Sequence, residues 1–187
     1  MKKAALALAL MLALLGGRGF ASDRQGTIEL LFGHNSINDA RFSKIYTSGG
    51  SIAGLALTAA LFYNLDFYLE AKVSSQAGQL TYTKEKTKFV LLPFSFGIRW
   101  GAPLGVLEPF IGAGLDYYVY YEDNIIGTAV DYARGGHIMG GLRLNFGKDV
   151  PLSLSGRIKY TSIKATRNSF TVDLGGFEIS AGLAFVF

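Results

Sequence analysis

The feature of this sequence that most constrains its fold is an alternation of apolar and polar residues with a period of two. It is clearest in the segment GGFEISAGLAFVF, where one face holds Phe177, Ile179, Ala181, Leu183, Phe185 and Phe187. Successive side chains of a β-strand point to opposite faces, so this pattern predicts a strand with one apolar face. The pattern recurs in eight segments: one beginning near Thr27, then 51–62, 66–75, 88–100, 108–121, 136–146, 152–162 and 175–187. The sequence therefore predicts an all-β chain of eight strands.

The connections between these segments alternate in length. Three are short (63–66, 101–106 and 147–151), whereas those near 35–50, 75–87, 122–135 and 164–174 are longer and more polar. Short turns at one end and long loops at the other are typical of an antiparallel up-and-down β-barrel. Pro93 lies inside the fourth segment, where it removes a ladder hydrogen bond and predicts a bulge.

The charged residues within the segments lie on the face opposite the apolar residues. They are Glu29, Glu70, Lys72, Arg99, Asp116, Arg143, Arg157, Lys159 and Glu178. A soluble barrel or sandwich shows the same alternation but points its apolar face inward. Eight strands enclose only enough room for side chains or one small ligand. If the charged face points inward, its ions must pair, because an unpaired buried charge is costly. The sequence predicts an ionic network that fills the lumen, with an ion pathway as the alternative.

Aromatic residues favour lipid outside the barrel. By the short turns lie Phe62, Phe67, Phe96, Trp100, Phe146, Phe185 and Phe187. By the long loops lie Phe89, Tyr117, Tyr121, Tyr160 and Phe177. Two aromatic belts separated by aliphatic residues match the interfacial girdles of transmembrane barrels. A closed barrel also pairs every backbone polar group, as hydrocarbon requires. We therefore predict a transmembrane barrel.

The start of the chain has the layout of a secretory signal. Residues 1–21 contain the basic stretch MKK, a twelve-residue apolar run and small residues at Gly19 and Ala21. We therefore expect a signal peptide at 1–21 and a barrel domain at 22–187. Three of the 18 basic residues fall in this leader, which leaves 15 basic against 14 acidic residues. So balanced a charge does not suggest a nucleic-acid partner.

Two motifs resemble those of bacterial outer-membrane barrels. The stretch SAGLAFVF, with Ser180, Gly182, Phe185 and Phe187, resembles their C-terminal assembly signal. The stretch LEPFIGAGLDYY is similar to the glycine-rich strand of small OmpA-, OmpX- and OmpW-type domains. The resemblance implies a location in the outer membrane of a Gram-negative cell, contact with its lipid and lipopolysaccharide, and recognition by the barrel-assembly machinery. We also expect a monomer.

The sequence offers few candidate sites. Loop cations could bind lipopolysaccharide phosphates through charge-assisted contacts. The residues put forward are Lys84, Lys86, Lys88, Lys164 and Arg167, and Arg41 and Lys44 also lie in the loops. His34 and Ser36 resemble the His-x-Ser pair of a lipid A deacylase, but the asparagine that follows that pair is missing. His137 is expected to hydrogen-bond within the lumen. With two histidines and no cysteine, we expect no metal site, no cofactor and no catalytic residues.

These observations predict a non-enzymatic outer-membrane barrel, with a structural role in the envelope or a surface-interaction role through its loops. Two alternatives remain open. Some eight-stranded barrels of this type are lipid A modifying enzymes, either acyltransferases or deacylases, and fold alone does not exclude that chemistry. An OmpW-type resemblance would also allow a narrow conduit for small apolar molecules.

Overall fold

The computed structural model describes residues 26–46, 49–62, 64–79, 84–124, 127–146, 150–167 and 170–187. The predicted signal peptide lies outside these ranges. The described part contains nine strands: β1 Gly26–Ser36, β2 Gly49–Phe62, β3 Leu65–Gln79, β4 Lys86–Gly101, β5 Leu107–Asn124, β6 Gly127–Asn145, β7 Leu152–Arg167, β8 Phe170–Asp173 and β9 Gly176–Val186. One short helix, α1, spans Phe42–Ile45. Within these ranges, no helix has the length and apolar character needed to cross a bilayer.

The strands form one closed antiparallel sheet. Consecutive strands pair from β1 to β7, β7 pairs with β9, and β9 pairs with β1. β8 and β9 pair with successive parts of β7, so together they make one barrel strand. This strand is interrupted at Leu174 and Gly175, whose amides both donate to the Ile163 carbonyl at 3.0 and 3.2 Å. The predicted eight-stranded up-and-down barrel is confirmed.

The outer face of the barrel is apolar. Side chains such as Phe32, Ile111 and Ile138 are exposed by 62, 64 and 64 %, whereas charged neighbours on the opposite face are buried. An exposed apolar surface that runs around the whole barrel is unstable in water and stable in lipid. Because the sheet closes on itself, it presents no open edge to that lipid.

The strands extend further at the loop end than the sequence predicts. β5 continues to Asn124 and β6 begins at Gly127, so the loop predicted at 122–135 is wrong. Most of 164–174 likewise belongs to β7 and β8, and β3 continues to Gln79. Backbone pairing continues here, although polar residues such as Lys88, Asp123 and Lys164 now stand among the apolar ones on the outer face. The period-two signal therefore disappears before the strands end.

The bulge predicted at Pro93 is also wrong. β3 and β4 pair at Ala71 with Phe94 and at Ser74 with Leu91, which is the same register on both sides of the proline. The hydrogen bonding between β3 and β4 is interrupted between these two pairs, because proline has no N–H to donate. On its other side, Pro93 stays paired with Tyr118 of β5. A register shift occurs instead in β2, between Ala60 and Phe62 beside a short turn.

The loop end of the lumen holds an apolar core, which we call the mouth cluster. It consists of Ile37, Phe42, Tyr46, Phe89, Leu91, Tyr118, Ala133, Ile163, Ala165 and Leu174. Phe42 of α1 packs into it, 5.0 Å from Phe89 between ring centroids. The placement of Phe89 in the outer aromatic belt is therefore wrong, because its side chain points inward and is 4 % exposed. The other eleven predicted belt residues lie on the outer face.

Candidate functional site

The centre of the lumen is an ionic network organised around Glu70 of β3. The Glu70 carboxylate accepts from Arg157 Nη1 at 2.6 Å and lies 2.9 Å from Lys72 Nζ and 3.5 Å from Lys159 Nζ. All nine charged residues predicted to face inward are buried. Asp66 and Glu108 are buried as well, although they were not predicted. The sequence missed both because they stand at strand ends, beside turns, where the face of a residue is ambiguous.

Glu178 of β9 joins this network across the lumen. Its two carboxylate oxygens accept from Lys72 Nζ at 2.7 and 2.8 Å. Ser180 donates to Glu178 at 3.1 Å and accepts from Arg157 Nε at 3.1 Å. Acids and bases from β3, β7 and β9 therefore neutralise one another, as buried ions must.

A second branch of the network runs through Asp116 of β5. Its carboxylate accepts from Ser95 at 2.6 Å and from Lys159 Nζ at 3.0 Å. The other oxygen lies 2.8 Å from Nδ1 of His137, and Nε2 of His137 hydrogen-bonds to the Tyr68 hydroxyl. The prediction that His137 bonds within the lumen is confirmed. A chain of acid, imidazole and hydroxyl resembles catalytic machinery, but each member is at most 5 % exposed.

Near the short turns, two further ion pairs close the lumen. Arg99 donates to Asp66 at 2.7 Å, and its guanidinium lies 5.0 Å from the centroid of the Phe110 ring. Arg143 lies 3.7 Å from Glu108, which also accepts from Asn145. The charged network thus spans the barrel from the short turns to its middle.

Glycines make room for this network. Gly97 and Gly114 are paired across β4 and β5, and the Tyr68 hydroxyl lies 2.8 Å from where either would carry a Cβ. A Cβ at Gly182 would stand 2.1 Å from the Glu29 carboxylate, which accepts from Ser155. Side chains at these positions would collide with the network, which explains why glycine occupies them.

The residues of the predicted assembly signal divide between the two faces of β9. Ser180 and Gly182 point inward to the network, and Phe185 and Phe187 point outward. Phe187 and Gly26 exchange both backbone hydrogen bonds, at 2.9 and 3.1 Å, where β9 closes against β1. Recognition by the assembly machinery stays a prediction.

The structure gives the Ser36 hydroxyl a partner other than His34. Both lie on the outer side of β1, and the Ser36 hydroxyl is engaged at 3.2 Å with both the N–H and the carbonyl of Phe177. The hydroxyl thus serves the β1–β9 seam. In addition, none of the described His, Asp and Glu residues forms a group of three or more suited to a metal ion.

An apolar pocket of about 230 Å³ opens into the mouth cluster. Phe42, Ile45, Phe89, Tyr120 and Val172 contribute apolar walls, and Arg41 and Glu122 stand beside them. Tyr46 at its side donates to Glu122 at 2.9 Å. Burial raises the pKa of the Tyr46 hydroxyl, so it remains protonated and able to donate at neutral pH. The pocket can accommodate a small apolar molecule.

The first connection is fastened to the barrel by Asp39. Its carboxylate accepts from the Arg41 guanidinium at 2.9 and 3.2 Å, from the Arg41 amide at 2.8 Å and from the Asp173 amide at 3.1 Å. The hydrogen bond from the Arg41 side chain holds the pKa of Asp39 well below its usual value. Arg41 also donates to the Thr171 carbonyl, which joins the connection to β8.

A cationic cleft, which we call the rim cleft, lies between α1 and the β3–β4 hairpin. It encloses about 720 Å³ and is lined by Ser43, Lys44, Ile45, Tyr46, Ala77, Gly78, Gln79, Lys84, Lys86 and Thr87. Three lysines and no carboxylate contribute to this lining. The structure therefore brings together Lys84 and Lys86 from the predicted set and adds Lys44.

The other predicted loop cations lie elsewhere. Lys88 is exposed on the outer face of β4, opposite Asp123 of β5. Lys164 is exposed on the outer face of β7. The side chain of Arg167 lies outside the described residues. The loop-end cations thus form separate groups around the barrel, and sequence order alone could not show which of them share a surface.

A closed eight-stranded barrel with an apolar exterior and an ionic lumen defines the class of protein as a transmembrane β-barrel of the outer-membrane type. No known family model matches the sequence, and no curated protein matches it. Solved structures do match, and they are outer-membrane barrels.

The chain is similar to OprG, an outer membrane protein of Pseudomonas aeruginosa, with a TM-score of 0.68 and 13% identity over 88% of this chain and 96% of that one. It is similar to Neisserial surface protein A, with a TM-score of 0.67 and 13% identity over 87% and 97% of the two chains. Ail of Yersinia pestis, solved with the heparin analogue sucrose octasulfate, matches with a TM-score of 0.58 and 10% identity over 88% and 100%. At these low sequence identities, the similarity establishes a shared fold and no more. The prediction of a small outer-membrane barrel is confirmed, and the apolar exterior agrees with that location.

Proposed function

We propose that this protein is a non-enzymatic outer-membrane barrel, closed to solutes, that acts in the envelope by binding phosphate groups of lipopolysaccharide at its extracellular rim. The proposal rests on two features that occur together in the barrel, namely a buried ionic network in the lumen and an exposed cationic cleft at the rim. The network fills the lumen with side chains whose acids and bases mostly pair with one another, which leaves a solute little space and little unpaired charge. The rim cleft presents Lys44, Lys84 and Lys86 without a lining carboxylate.

The chemistry of the rim cleft suits a phosphorylated sugar. Ammonium groups attract phosphate as point charges, and the exposed Ser43 hydroxyl, which donates to the Ala40 carbonyl at 3.0 Å, keeps an acceptor for a sugar hydroxyl. In this class of barrel the longer connections are extracellular, so the cleft would face the sugar layer of the outer leaflet. Ail was solved in complex with a sulfated sugar, sucrose octasulfate, which supports an anionic sugar as the ligand here.

The rim cleft is tested with the soluble, phosphorylated core oligosaccharide of lipopolysaccharide, titrated into the folded barrel in detergent. We expect the triple variant Lys44→Gln, Lys84→Gln, Lys86→Gln to bind it at least tenfold more weakly, since each cation near an anionic surface contributes about 1 kcal/mol. Lys164→Gln is the matched control, because it removes one exposed cation on another side of the barrel. Unchanged binding by the triple variant would contradict the proposal.

Closure and the absence of catalysis need separate measurements. Single-channel recording in planar bilayers should show no steady conductance through the purified protein. Mass spectrometry of lipid A should find the same number of acyl chains in cells with and without the protein. A steady conductance would favour an ion pathway, and an altered acyl count would favour a lipid A modifying enzyme.

The mouth pocket favours a second candidate function, binding or passage of small apolar molecules. Its volume exceeds the roughly 150 Å³ of an engineered apolar cavity that holds benzene. Toluene binding to the folded barrel, followed by NMR shifts of the Phe42 and Phe89 rings, tests this function. Ala165→Phe would fill the pocket and should abolish the shifts, whereas Ser162→Phe on the outer face of the same strand should not.

A further inference from the structure

Two cations face each other directly on the outer wall of the barrel. Arg134 of β6 and Lys164 of β7 are register partners, and both are exposed on the outer face. Directly opposed like charges destabilise a pair of strands. Neither cation forms an ion pair with another described residue, although Asp173 of β8 is the register partner of Lys164 on its other side. The two cations therefore outnumber the single carboxylate beside them, and this part of the wall keeps a positive charge.

Aromatic rings fix the position of one member of this pair. The Arg134 guanidinium lies over the Tyr132 ring, 5.8 Å from its centroid. Tyr132 in turn stacks on Tyr117 with centroids 5.6 Å apart, and Tyr117 is the register partner of Arg134 on β5. The cation–π contact is not a hydrogen bond and uses none of the guanidinium N–H groups, which can therefore bind an anion.

The depth of the pair matches that of lipid headgroups. Tyr117 and Tyr160 belong to the loop-end aromatic belt, which marks the membrane interface in such barrels. Ile138, which is 64 % exposed, lies four residues from Arg134 towards the short turns, or about 13 Å along the strand. Ile138 would therefore lie among acyl chains while Arg134 and Lys164 reach the layer of phosphates above them.

We propose that Arg134 and Lys164 form a binding site for a phosphate group of lipid A, held by one lipopolysaccharide molecule against the outer wall. The guanidinium of Arg134 would bind two phosphate oxygens with two parallel N–H groups, and the ammonium of Lys164 would bind a third oxygen as a point charge. The anion would also remove the repulsion between the two cations. We assign the phosphate to lipid A because the pair lies at the loop end of the barrel, which is extracellular in this class.

This site deepens the proposed function but is physically separate from the rim cleft. The cleft lies at the β3–β4 hairpin, and the pair lies between β6 and β7, three strands further around the sheet. The two sites would contact different parts of lipopolysaccharide, namely the lipid A phosphate and the core sugars. Failure of one can therefore be distinguished from failure of the other.

Native mass spectrometry of the full barrel in detergent, titrated with purified bis-phosphorylated lipid A, tests the site. We expect Arg134→Gln with Lys164→Gln to weaken lipid A binding about 30-fold, and each single variant to weaken it about fivefold, at about 1 kcal/mol per cation. The matched control for the single variants is Lys88→Gln, which removes an exposed outer-face cation outside both sites and should bind lipid A as the unmodified protein does. The heat-dependent gel shift of each variant establishes that it has folded.

Three outcomes would overturn the inference. One is a double variant that folds and binds lipid A as tightly as the unmodified protein. Another is phosphate-free lipid A binding as tightly as the phosphorylated form, because then acyl chains alone drive binding. The third is equal competition by phosphatidylglycerol, which would assign the pair to lipid phosphate in general. If the triple variant of the rim cleft loses only core oligosaccharide binding, and the double variant of Arg134 and Lys164 loses only lipid A binding, the two sites are separate and the inference is supported.

Discussion

The two halves of the lumen are filled in opposite ways. From the short turns to the middle, the ionic network fills the barrel with side chains such as Glu70, Lys72 and Arg157. At the loop end, the mouth cluster fills it with residues such as Phe42, Phe89 and Leu91. Both consist of buried side chains, but the first depends on paired charges and the second on packing. One strand, β4, contributes to both, with Ser95 and Arg99 in one half and Phe89 and Leu91 in the other.

The solvent outside the barrel explains this difference. Where lipid surrounds the barrel, the outer face takes the apolar residues, and the inner face must accommodate polar and charged ones. Beyond the lipid, the same strands stand in water, with Lys86, Lys88 and Asp123 on their outer face. There the inner face can be apolar, as in an ordinary soluble core. The distribution of polar and apolar residues between the inner and outer faces thus reverses along the barrel axis. Substitutions in each half can test this comparison.

The largest effect is expected at the centre of the ionic network. Glu70→Gln keeps the shape of the side chain but removes the charge that faces Lys72, Arg157 and Lys159. Breaking a buried pair in this way costs about 3–5 kcal/mol of unfolding free energy. Urea unfolding in phospholipid vesicles, followed by the fluorescence of Trp100, would measure it, since this is the single tryptophan and lies on the outer face. Glu85→Gln at the rim should change it by less than about 0.5 kcal/mol, and a similar cost for both would contradict the network.

The mouth cluster should respond to loss of packing. Phe89→Ala removes the ring that contacts Phe42 and Tyr46, at 5.0 and 5.5 Å between centroids. We expect a cost of about 3 kcal/mol and faster amide exchange in residues 37–46, measured by hydrogen–deuterium exchange. Phe94→Ala, on the lipid face of the same strand, should leave that exchange unchanged. If both variants loosen residues 37–46 equally, the cluster does not hold the first connection.

A smaller effect is expected where a glycine leaves room for the network. Gly182→Ala would place its methyl group against the Glu29 carboxylate and the Ser155 hydroxyl. Because these side-chain ends can shift, we expect a loss of about 1–2 kcal/mol, measured by the same urea unfolding. Gly156→Ala is the matched control, since nothing lies within 4 Å of its new methyl group. Equal stabilities of the two variants would show that the network tolerates crowding.

The smallest effect concerns the attachment of the first connection, and it depends on pH. The pKa of Asp39 is lower in the folded protein than its usual value of 3.8. Its ionised form therefore stabilises the connection above about pH 4, and this stabilisation is lost as the pH falls further. The ratio of the pepsin cleavage rates within residues 37–46 at pH 2 and at pH 4 should be larger for the wild-type protein than for Asp39→Asn, since the comparison cancels the pH dependence of pepsin itself. Equal ratios for the two proteins would contradict the assignment.

Much of the barrel followed from the sequence for a simple reason. The face of a residue in a strand depends only on whether its position is odd or even, so all nine predicted inward charges were assigned correctly. Phe89 was misplaced because apolar residues mark the lipid face only at the level of the membrane. The ends of β5, β6 and β7 were missed because backbone pairing does not require alternating side chains.

The candidate sites were harder to predict from the sequence than the fold. Lys84, Lys86, Lys88 and Lys164 were correctly expected at the loop end, but nothing in their spacing showed that Lys44 joins two of them in the rim cleft. Arg134 was not singled out, since it becomes informative only beside Lys164. These two residues are thirty positions apart in the chain and adjacent only because β6 pairs with β7 in one register.

The amino-acid order by itself determined which side chains meet lipid and which meet the lumen, because strand geometry is local. The tertiary structure alone decided which acid neutralises which base, where the apolar core of the mouth begins, and which cations stand together on the wall. Those features depend on the register between strands that are distant in the chain. Register is set by the closure of the whole sheet, so no single segment contains it.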